Sequence, residues 1–584
     1  MLRKYPVHYI VLLSLLLIIS IRWLGVSGQN YRTVITSDGR GYYHYFVALL
    51  GPQLMDEQEV NGTFLLATED GSVLNKYFAG TALLWSPFVL PVYAWYYLTD
   101  GPGVNFYAEG FQKAISLAAL FYLFLGLLAL KKLLESFDLE ARVVNITLFV
   151  FFFGTNLSYY TIIAPSMSHV YSFSLIAGFL YFVRRLSLRT HPFDIIFATL
   201  ILGLLVLVRP LNILIVLAVP VIWARRTNFI NLIKDNVPLL AISAFFFLMI
   251  IGIQMILWYF QSGKFIQWSY SGEGFYFYKP HFFDFIFSFR KGFLIYTPLL
   301  LLSLKAIPAL YRKERFRALA ALFFVTVLIY VLSSWWNWYY GDSYASRALI
   351  DFYAFFALLF ALDLQQMRKT GRLITVSLAL LLTALNVFQS YQYYHNIMSH
   401  YDMTREKYAF IFLKGGEQYE HILGGNDDIA PYHKKPMKEL FSIPDNPRQD
   451  WYQISCTGGE VGKVEQIKVY GAKYPFVIDL DARRLMDYRS VYFEMKCDWE
   501  KADSHLTNVY WTISMSSGAN QYYYYAFRIN AVPVWQQNRR SDTYRFSIPK
   551  PKTASDKVII GLWNKGEHEF TIRKFSLKAF GITN

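Results

Sequence analysis

The 584-residue sequence contains few charged residues for its length. Only 17% of its residues are Asp, Glu, Lys or Arg, whereas 55% are hydrophobic. A chain of this length with ordinary composition would form roughly four soluble domains. Here, apolar runs of about 20 residues, enough to cross hydrocarbon, recur through the first two thirds. The composition therefore excludes an array of soluble domains and predicts a multi-pass membrane protein.

Cysteine is nearly absent, with only Cys456 and Cys497 in the whole chain. Both follow the last apolar run, and their spacing is not that of a metal-binding knuckle. They are a candidate disulfide if this part of the chain lies outside the cytoplasm. The net charge of +15 comes from basic residues in short clusters between apolar runs. That distribution is typical of membrane topology and excludes nucleic acid as a partner, leaving membrane lipids.

About eleven apolar runs are candidates for membrane spans. They lie near residues 7–27, 111–131, 141–161, 168–184, 193–208, 211–224, 237–259, 293–310, 316–334, 347–364 and 372–390. Only Arg209 and Pro210 separate the short fifth and sixth runs, which predicts a tight hairpin. The first run carries Arg22 and Trp23 at its far end, which favours a membrane anchor over a cleaved signal peptide.

Basic clusters mark every second connection between these runs. They are Arg3-Lys4, Lys131-Lys132, Arg184-Arg185, Arg225-Arg226, the group from Arg312 to Arg317, and Arg368-Lys369. Because cytoplasmic loops are enriched in Lys and Arg, the N-terminus is expected in the cytoplasm. With an odd number of spans, everything after residue 390 is then expected outside it.

This topology leaves a large first outer loop, residues 28–110. Its apolar segment up to Tyr97 is interrupted by Pro87 and Pro91. Counting that segment as a span would invert every later basic cluster. We therefore expect it to lie along the membrane surface or to re-enter the membrane.

The last third of the chain changes in character. Residues 391–445 are polar and rich in glycine and proline, which predicts a linker, and residues 446–584 predict a β-sandwich of jelly-roll type. The expected strands are Phe476 to Leu480, Val491 to Lys496, Asn508 to Met515, Tyr522 to Ile529, Tyr544 to Ile548, Val558 to Trp563 and Glu569 to Ala579. The run Tyr522 to Tyr525 either stacks on sugar rings or forms ordinary core and edge contacts.

An acidic residue follows the first apolar run within the segment Thr36-Ser37-Asp38-Gly39-Arg40-Gly41-Tyr42-Tyr43. A carboxylate just outside the bilayer, flanked by glycines that allow close approach, is a candidate general base. An Asp-Gly pair is also common in simple turns. Its position at the start of a large outer loop favours the functional interpretation.

Further motifs accompany Asp38 along residues 1–410. They are Lys76-Tyr77-Phe78-Ala79-Gly80-Thr81 with Pro87, Ala164-Pro165-Ser166-Met167-Ser168-His169, Val208-Arg209-Pro210, Phe289-Arg290-Lys291-Gly292, and Trp338-Tyr339-Tyr340-Gly341-Asp342-Ser343-Tyr344-Ala345-Ser346-Arg347. In order and placement they resemble segments of the GT-C superfamily of membrane glycosyltransferases. That superfamily includes protein O-mannosyltransferases and lipid A aminoarabinose transferases, and the likeness is to uncharacterised bacterial members.

This resemblance implies an enzyme of a bacterial inner membrane, with residues 1–390 as a GT-C catalytic domain and an outer, periplasmic C-terminal domain. The enzyme would transfer a sugar from a polyprenyl-phosphate donor to a lipid, glycan or protein hydroxyl at the outer face, with inversion. Asp38 is the candidate base. Arg347 is the first candidate for binding the donor phosphate, because a guanidinium suits phosphate oxygens. Arg209 and Lys76 are further candidates.

Several other residues are candidates for substrate binding, each with a structural alternative. Tyr42 and Tyr43 follow Asp38, and His169 either orders its loop or contacts substrate. Trp338, with Trp335 and Trp336, belongs to an aromatic belt or stacks on sugar. The remaining candidates are the acids Asp342 and Glu109.

The metal requirement stays open. Many family members carry two neighbouring acids after the first span, and here Asp38 is followed by Gly39 and Arg40. Asp342 or Glu109 replaces the second acid, or the second acid is absent. A single carboxylate makes a poor Mg²⁺ site, so no cofactor is assigned.

Two other functions fit parts of the sequence. A polysaccharide polymerase or ligase also acts on lipid-linked sugars, but it would favour a large loop late in the chain. A lipid-linked sugar transporter or flippase would favour internal repeats and ionisable residues near the membrane midplane. We find no repeat, and the charges lie at the expected outer boundary.

Overall fold

The computed structural model describes most of the chain. The described residues are 5–25, 33–51, 64–67, 73–189, 191–224, 234, 236–270, 273–400, 403–416, 419, 438–444, 450–456, 467–501, 509–518, 520–528, 539–565 and 568–582. They divide into two compact units, residues 1–391 and 392–584. The first unit is mainly helical, and the second consists mainly of β-strands.

The first unit consists of helices of very different length. In chain order they are α1 (Pro6–Leu17), α2 (Asp38–Leu50), α3 (Gly80–Asp100), α4 (Glu109–Glu135), α5 (Ala141–Phe153), α6 (Leu157–Ile162), α7 (His169–Leu188), α8 (Pro192–Val208), α9 (Val219–Ile222), α10 (Val237–Ser262), α11 (Phe282–Phe287), α12 (Phe293–Tyr296), α13 (Leu299–Leu304), α14 (Ala306–Lys313), α15 (Arg315–Ser333), α16 (Tyr353–Gln366) and α17 (Lys369–Tyr394). A π-helical turn, Ile18–Trp23, continues α1, and 3₁₀ segments cover Pro210–Ala218 and Arg347–Phe352.

Six helical stretches in the described part of the chain are long and apolar enough to cross a membrane. They are Pro6–Trp23, Glu109–Glu135, Val237–Ser262, Arg315–Ser333, Arg347–Gln366 and Lys369–Tyr394. They support a membrane protein, whereas the expected count of about eleven spans is not confirmed. Two predicted runs are divided: 141–161 breaks at Gly154, and 293–310 breaks at Pro298 because proline has no N–H to continue a helix.

Helix α3 occupies the apolar segment of the first outer loop. It runs unbroken through Pro87 and Pro91. Pro87 removes the N–H that would bond the Leu83 carbonyl, and the Ser86 hydroxyl donates to that oxygen at 2.7 Å instead. This replacement bond explains how the helix tolerates an internal proline.

The stretch Arg347–Gln366 lies at the centre of the first unit, since 89% of its apolar window is buried. It packs against α5, α7 and α13. A short antiparallel hairpin, β1 (Leu65–Ala67) with β2 (Val73–Asn75), lies between α2 and α3 in the chain. It places Lys76 and Tyr77 immediately after its second strand, where the Lys76 N–H donates to the Phe64 carbonyl at 2.8 Å.

The second unit contains helix α18 (Arg405–Ile411) and two antiparallel sheets. Its strands are β3 (Lys438–Ile443), β4 (Tyr452–Cys456), β5 (Ile467–Tyr470), β6 (Phe476–Asp481), β7 (Ser490–Lys501), β8 (Val509–Ser517), β9 (Asn520–Arg528), β10 (Arg539–Pro549), β11 (Lys557–Asn564) and β12 (Glu569–Ile582), with helix α19 (Ala482–Leu485) after β6. One sheet has the order β10-β7-β12-β3, with β5 also pairing with β12, and the other has the order β4-β6-β11-β8-β9.

The two sheets share one hydrophobic core. Phe476 of one sheet and Phe575 of the other lie 4.8 Å apart between ring centroids, and the buried Trp511 packs 5.9 Å from Phe575. Alternate residues of β6 are buried, as expected for a strand with one face on the core. The unit is therefore a β-sandwich, although its jelly-roll connectivity is not confirmed.

All seven predicted strands are present, but β3, β4 and β5 were not predicted. Strand β3 pairs with β12, so the sandwich begins at Lys438, inside the predicted linker 391–445. Along the run Tyr522 to Tyr525, Tyr522, Tyr523 and Tyr525 pack against the core, while Tyr524 is half exposed. These contacts favour the structural interpretation of the tyrosine run.

The candidate disulfide is wrong. Cys456 lies on β4 and Cys497 on β7, in different sheets, and no disulfide joins them. Cys497 is buried in the core, whereas Cys456 is only partly buried.

We predict that both cysteines remain thiols in the full-length protein, including protein exported to an oxidising compartment. Denaturation in iodoacetamide without reductant should give two alkylated cysteines by mass spectrometry. A chain that carries no adduct before reduction and two after it would contradict this prediction.

Candidate functional site

A cavity of about 980 Å³ in the first unit collects side chains from distant parts of the sequence. Its charged lining residues are Asp38, Lys76, Arg209, Glu273, Asp342 and Arg347. Its aromatic lining residues include Tyr42, Tyr77, Trp268, Tyr270, Phe275, Trp335, Trp336 and Tyr340. Small-molecule sites are commonly cavities of this size, with apolar walls and a few converging polar groups.

Asp38 is the first residue of α2 and points its carboxylate at a guanidinium. Its Oδ2 lies 3.0 Å from an Arg347 nitrogen, and the Tyr77 hydroxyl donates to its Oδ1 at 2.8 Å. The side chains of Asp38 and Arg347 are only 21% and 12% exposed. The candidate base and the first candidate for phosphate binding are therefore direct partners.

The electrostatic surroundings keep Asp38 ionised. Burial by itself raises the pKa of the carboxyl, but the positive charge of Arg347 and the Tyr77 hydrogen bond outweigh it. The net result is a pKa of Asp38 below its ordinary value. Burial and the nearby Asp38 charge raise the pKa of Tyr77 well above its ordinary value, so Tyr77 remains a hydrogen-bond donor.

The glycines beside Asp38 are required by close packing. A Cβ at Gly39 would lie 2.3 Å from the Ser166 hydroxyl oxygen, and a Cβ at Gly41 would lie 2.3 Å from the Tyr77 ring. Any larger residue at position 41 would push away the ring whose hydroxyl bonds Asp38. The Asp-Gly-Arg-Gly pattern is thus explained by the site and not by a simple turn.

The loop before Arg347 is held by three other parts of the unit. The buried Lys291 ammonium donates to the Ser343 carbonyl, and the Asn156 amide donates to the Tyr344 carbonyl at 3.0 Å. Burial lowers the pKa of Lys291 to about 7, although the nearby Asp342 opposes that effect. Tyr344 in turn donates to the Asn386 carbonyl at 3.2 Å. These anchors determine where the Arg347 side chain begins.

A second charged cluster lies beside the first. The Arg209 guanidinium donates to Asp351 Oδ2 at 3.1 Å, and His169 Nδ1 lies 2.8 Å from Asp351 Oδ1. Asp351 and His169 are almost completely buried, whereas the Arg209 side chain is 20% exposed. Asp351 therefore orients two side chains that line the cavity.

Lys76 has its own carboxylate partner. Its ammonium forms an ion pair with Glu273, and its nitrogen lies 5.2 Å from the centroid of the Tyr270 ring. The Ser269 hydroxyl donates to the Lys76 carbonyl at 2.8 Å. The hairpin β1–β2 and the loop after α10 are thereby joined at the cavity.

The structure brings seven of the ten predicted site residues to this cavity. They are Asp38, Tyr42, Lys76, His169, Arg209, Asp342 and Arg347. The other three do not line it. Tyr43 is buried and donates to the Phe106 carbonyl, Glu109 pairs with Lys113 on α4, and Trp338 stacks near His281. The structure thus directs these three side chains to other parts of the unit and not into the cavity.

Three residues of the site were not singled out from the sequence. Tyr77 appeared only as a member of a motif, and Glu273 lies in a loop without a distinctive pattern. Asp351 did carry a signal, because an ionisable residue inside a predicted span is commonly functional. It is one of two carboxylates in the run 347–364, the other being Asp363, and nothing in the sequence pairs it with Arg209.

The side chains that line the cavity do not fit a divalent metal ion. Within the described ranges, no three His, Cys, Asp or Glu residues lie together as a ligand group. Both oxygens of Asp38 already interact with cationic or hydroxyl donors. A Mg²⁺ ion needs an oxygen-rich shell that these residues do not provide.

The chain has only distant similarity to known proteins. No family model and no curated protein matches the chain. The archaeal oligosaccharyltransferase AglB from Archaeoglobus fulgidus, solved with an inhibitory peptide and a dolichol-phosphate, is 13% identical with a TM-score of 0.38. The similarity covers 67% of this chain and 56% of that one. The apo form of the Archaeoglobus fulgidus oligosaccharyltransferase gives 12% identity, a TM-score of 0.37 and coverage of 67% and 55%. The chain thus spans little more than half the length of these proteins, and a TM-score below 0.5 does not establish a common fold.

We predict that Asp351→Leu lowers the thermal unfolding midpoint, because it leaves Arg209 without its carboxylate. Removing one partner of a buried ion pair costs about 3–5 kcal/mol, and partial exposure of Arg209 places the loss near the lower end. The double variant Arg209→Met, Asp351→Leu should lose less than Asp351→Leu alone. Tryptophan fluorescence during heating in detergent would measure both. Equal or additive losses would contradict the pairing.

Proposed function

We propose that the first unit is a GT-C-type glycosyltransferase. It moves a sugar from a polyprenyl-phosphate donor to a hydroxyl of a lipid, glycan or protein acceptor, with inversion at the anomeric carbon. The observation that supports it most is the 3.0 Å pair between Asp38 and Arg347 within a large cavity. Sequence reasoning selects these residues separately, one as the base and one for phosphate binding.

In this reaction Asp38 accepts the proton of the acceptor hydroxyl as its oxygen attacks the anomeric carbon. The bond between that carbon and the phosphate oxygen breaks, and polyprenyl phosphate leaves with the electron pair. Such a leaving group needs positive charge on its oxygens more than a proton donor. Arg347 and Arg209 supply that charge, since both line the cavity and guanidinium groups match phosphate oxygens.

The ion pair between Asp38 and Arg347 makes the pKa of Asp38 depend on whether the donor is bound. With the cavity free, Arg347 holds the pKa of Asp38 below its ordinary value. A donor phosphate that engages Arg347 shares this charge, so burial then raises the pKa of Asp38. The carboxylate thereby becomes a stronger base when the donor is bound.

We place this chemistry at the outer face of a bacterial inner membrane, with the N-terminus in the cytoplasm and the β-sandwich outside. The alternating basic clusters support this orientation, and the six apolar helices support only the location in a membrane. No metal is assigned to the reaction, because the transfer needs only the base and the two guanidinium groups.

We predict that Asp38→Asn abolishes transfer, since an amide cannot accept the proton. Loss of a positioned general base costs about 10²–10⁴-fold in rate. The matched control is Glu109→Gln, which neutralises an acid outside the cavity and should keep full activity. The assay follows a radiolabelled sugar from total membrane polyprenyl-phosphate sugars into acceptors. Normal turnover by Asp38→Asn would reject the assignment.

We further predict that Arg347→Met moves the acidic limb of the pH profile to higher pH. Asp38 acts as a base only when ionised, so activity falls as pH decreases through its pKa. Without Arg347, burial is less opposed and that pKa rises. The profile of kcat/KM reports this group in the free enzyme. Arg372→Met, which breaks a pair with Glu140, serves as the control and should leave the profile unchanged. An unshifted limb in Arg347→Met would contradict the proposal.

A further inference from the structure

One part of the cavity combines an ion pair with aromatic rings. It is formed by Lys76, Tyr270, Glu273 and Trp335, which we name the ring subsite. We propose that the ring subsite binds a pyranose ring, so that Lys76 recognises sugar hydroxyls instead of the donor phosphate. This inference rests on the proposed glycosyl transfer and identifies the part of the same cavity that recognises the sugar.

The aromatic walls of the ring subsite are held in place by backbone contacts. The Tyr270 and Trp335 rings lie 5.7 Å apart and nearly perpendicular, at 87°. Phe275 forms a β-bridge with Trp335, and the Trp336 N–H donates to the Gly274 carbonyl at 2.9 Å. Two segments distant in sequence therefore form one fixed corner. A sugar can place its apolar C–H face against such rings while its hydroxyls point to polar groups.

The charges of the ring subsite suit hydroxyls better than phosphate. Lys76 is paired with Glu273, so the formal charge of the pair is zero. A phosphate near Lys76 would also meet the Glu273 carboxylate, and like charges repel. Sugar hydroxyls both donate and accept hydrogen bonds, so an ammonium and a carboxylate together satisfy them. The two side chains are 15% and 22% exposed, which leaves them accessible from the cavity.

The ring subsite is connected to the proposed base through Tyr77. The Tyr77 hydroxyl bonds Asp38, and the Tyr77 ring lies 6.3 Å from the Tyr270 ring. One aromatic ring thus separates Asp38 from the corner that would hold the sugar. Arg347 is likewise paired, with Asp38. Arg209 also lines the cavity while its carboxylate partner Asp351 does not, so an unopposed positive charge faces the cavity there and suits phosphate.

Binding measurements on the purified full-length protein can separate the two roles of the cations. The probes are a panel of methyl pyranosides, observed by saturation-transfer NMR, and sugar-free undecaprenyl phosphate. Pyranoside binding should be weakened in all three variants of the ring subsite, Glu273→Gln, Lys76→Met and Trp335→Phe. The loss should be at least about tenfold for Glu273→Gln and Lys76→Met, since each removes a hydrogen bond to a charged group. They should change affinity for undecaprenyl phosphate by less than about twofold, and Arg347→Ala should show the opposite pattern.

Several results would overturn the ring subsite. One is that the unaltered protein shows no saturable pyranoside binding. Another is that Glu273→Gln and Trp335→Phe bind pyranosides as the unaltered protein does. A third is that Lys76→Met loses as much affinity for undecaprenyl phosphate as Arg347→Ala does. Size-exclusion elution identifies any variant that misfolds. If Lys76→Met misfolds, the conservative Glu273→Gln and Trp335→Phe variants still test the proposal.

Kinetic measurements then distinguish the source of the sugar. A rise in KM for the donor with unchanged acceptor KM assigns the ring subsite to the donor sugar, and the reverse assigns it to an acceptor sugar. Failure of the proposed function gives a different result. In that case Asp38→Asn keeps transfer activity while the ring-subsite variants still lose pyranoside binding.

Discussion

The ion pair between Asp38 and Arg347 is the interaction on which the first unit's cavity depends. Neither charge is stable alone in a poorly solvated site, so each requires the other to be placed within hydrogen-bond distance. The surrounding sequence meets this requirement in small steps. Gly41 leaves room for Tyr77, and Lys291 with Asn156 holds the loop that ends at Arg347.

Two further pairs repeat this principle around the same cavity. Arg209 is matched by Asp351, and Lys76 is matched by Glu273. Each pair joins segments far apart in the chain, so the cations are positioned before any ligand arrives. An anionic ligand that takes one cation also releases a carboxylate from its partner. In the proposed reaction, this exchange converts phosphate binding into a change in the basicity of Asp38.

Sequence patterns predicted local features better than long-range ones. The seven strands with clear alternation or aromatic runs were found in the sandwich, whereas β3, β4 and β5 are short and were missed. Strand β3 is defined by its pairing with β12, more than a hundred residues later, and no local pattern reveals such a partner. The broken runs at Gly154 and Pro298 show the same limit, because hydropathy reports apolar composition and not helix continuity.

The sequence by itself determined that this is an apolar, helix-rich chain with a β-sandwich at its end, and it singled out Asp38, Arg347 and Arg209. The fold class follows from composition and periodicity, which are local properties. The roles of these residues follow from their charge next to apolar runs together with what the resemblance of their motifs to a known family implies. Only the tertiary structure decided that Asp38 contacts Arg347, that Asp351 orients Arg209, and that Tyr43, Glu109 and Trp338 lie elsewhere. The physical reason is that charge pairing across a cavity depends on how distant helices pack, which the spacing of residues along the chain does not encode.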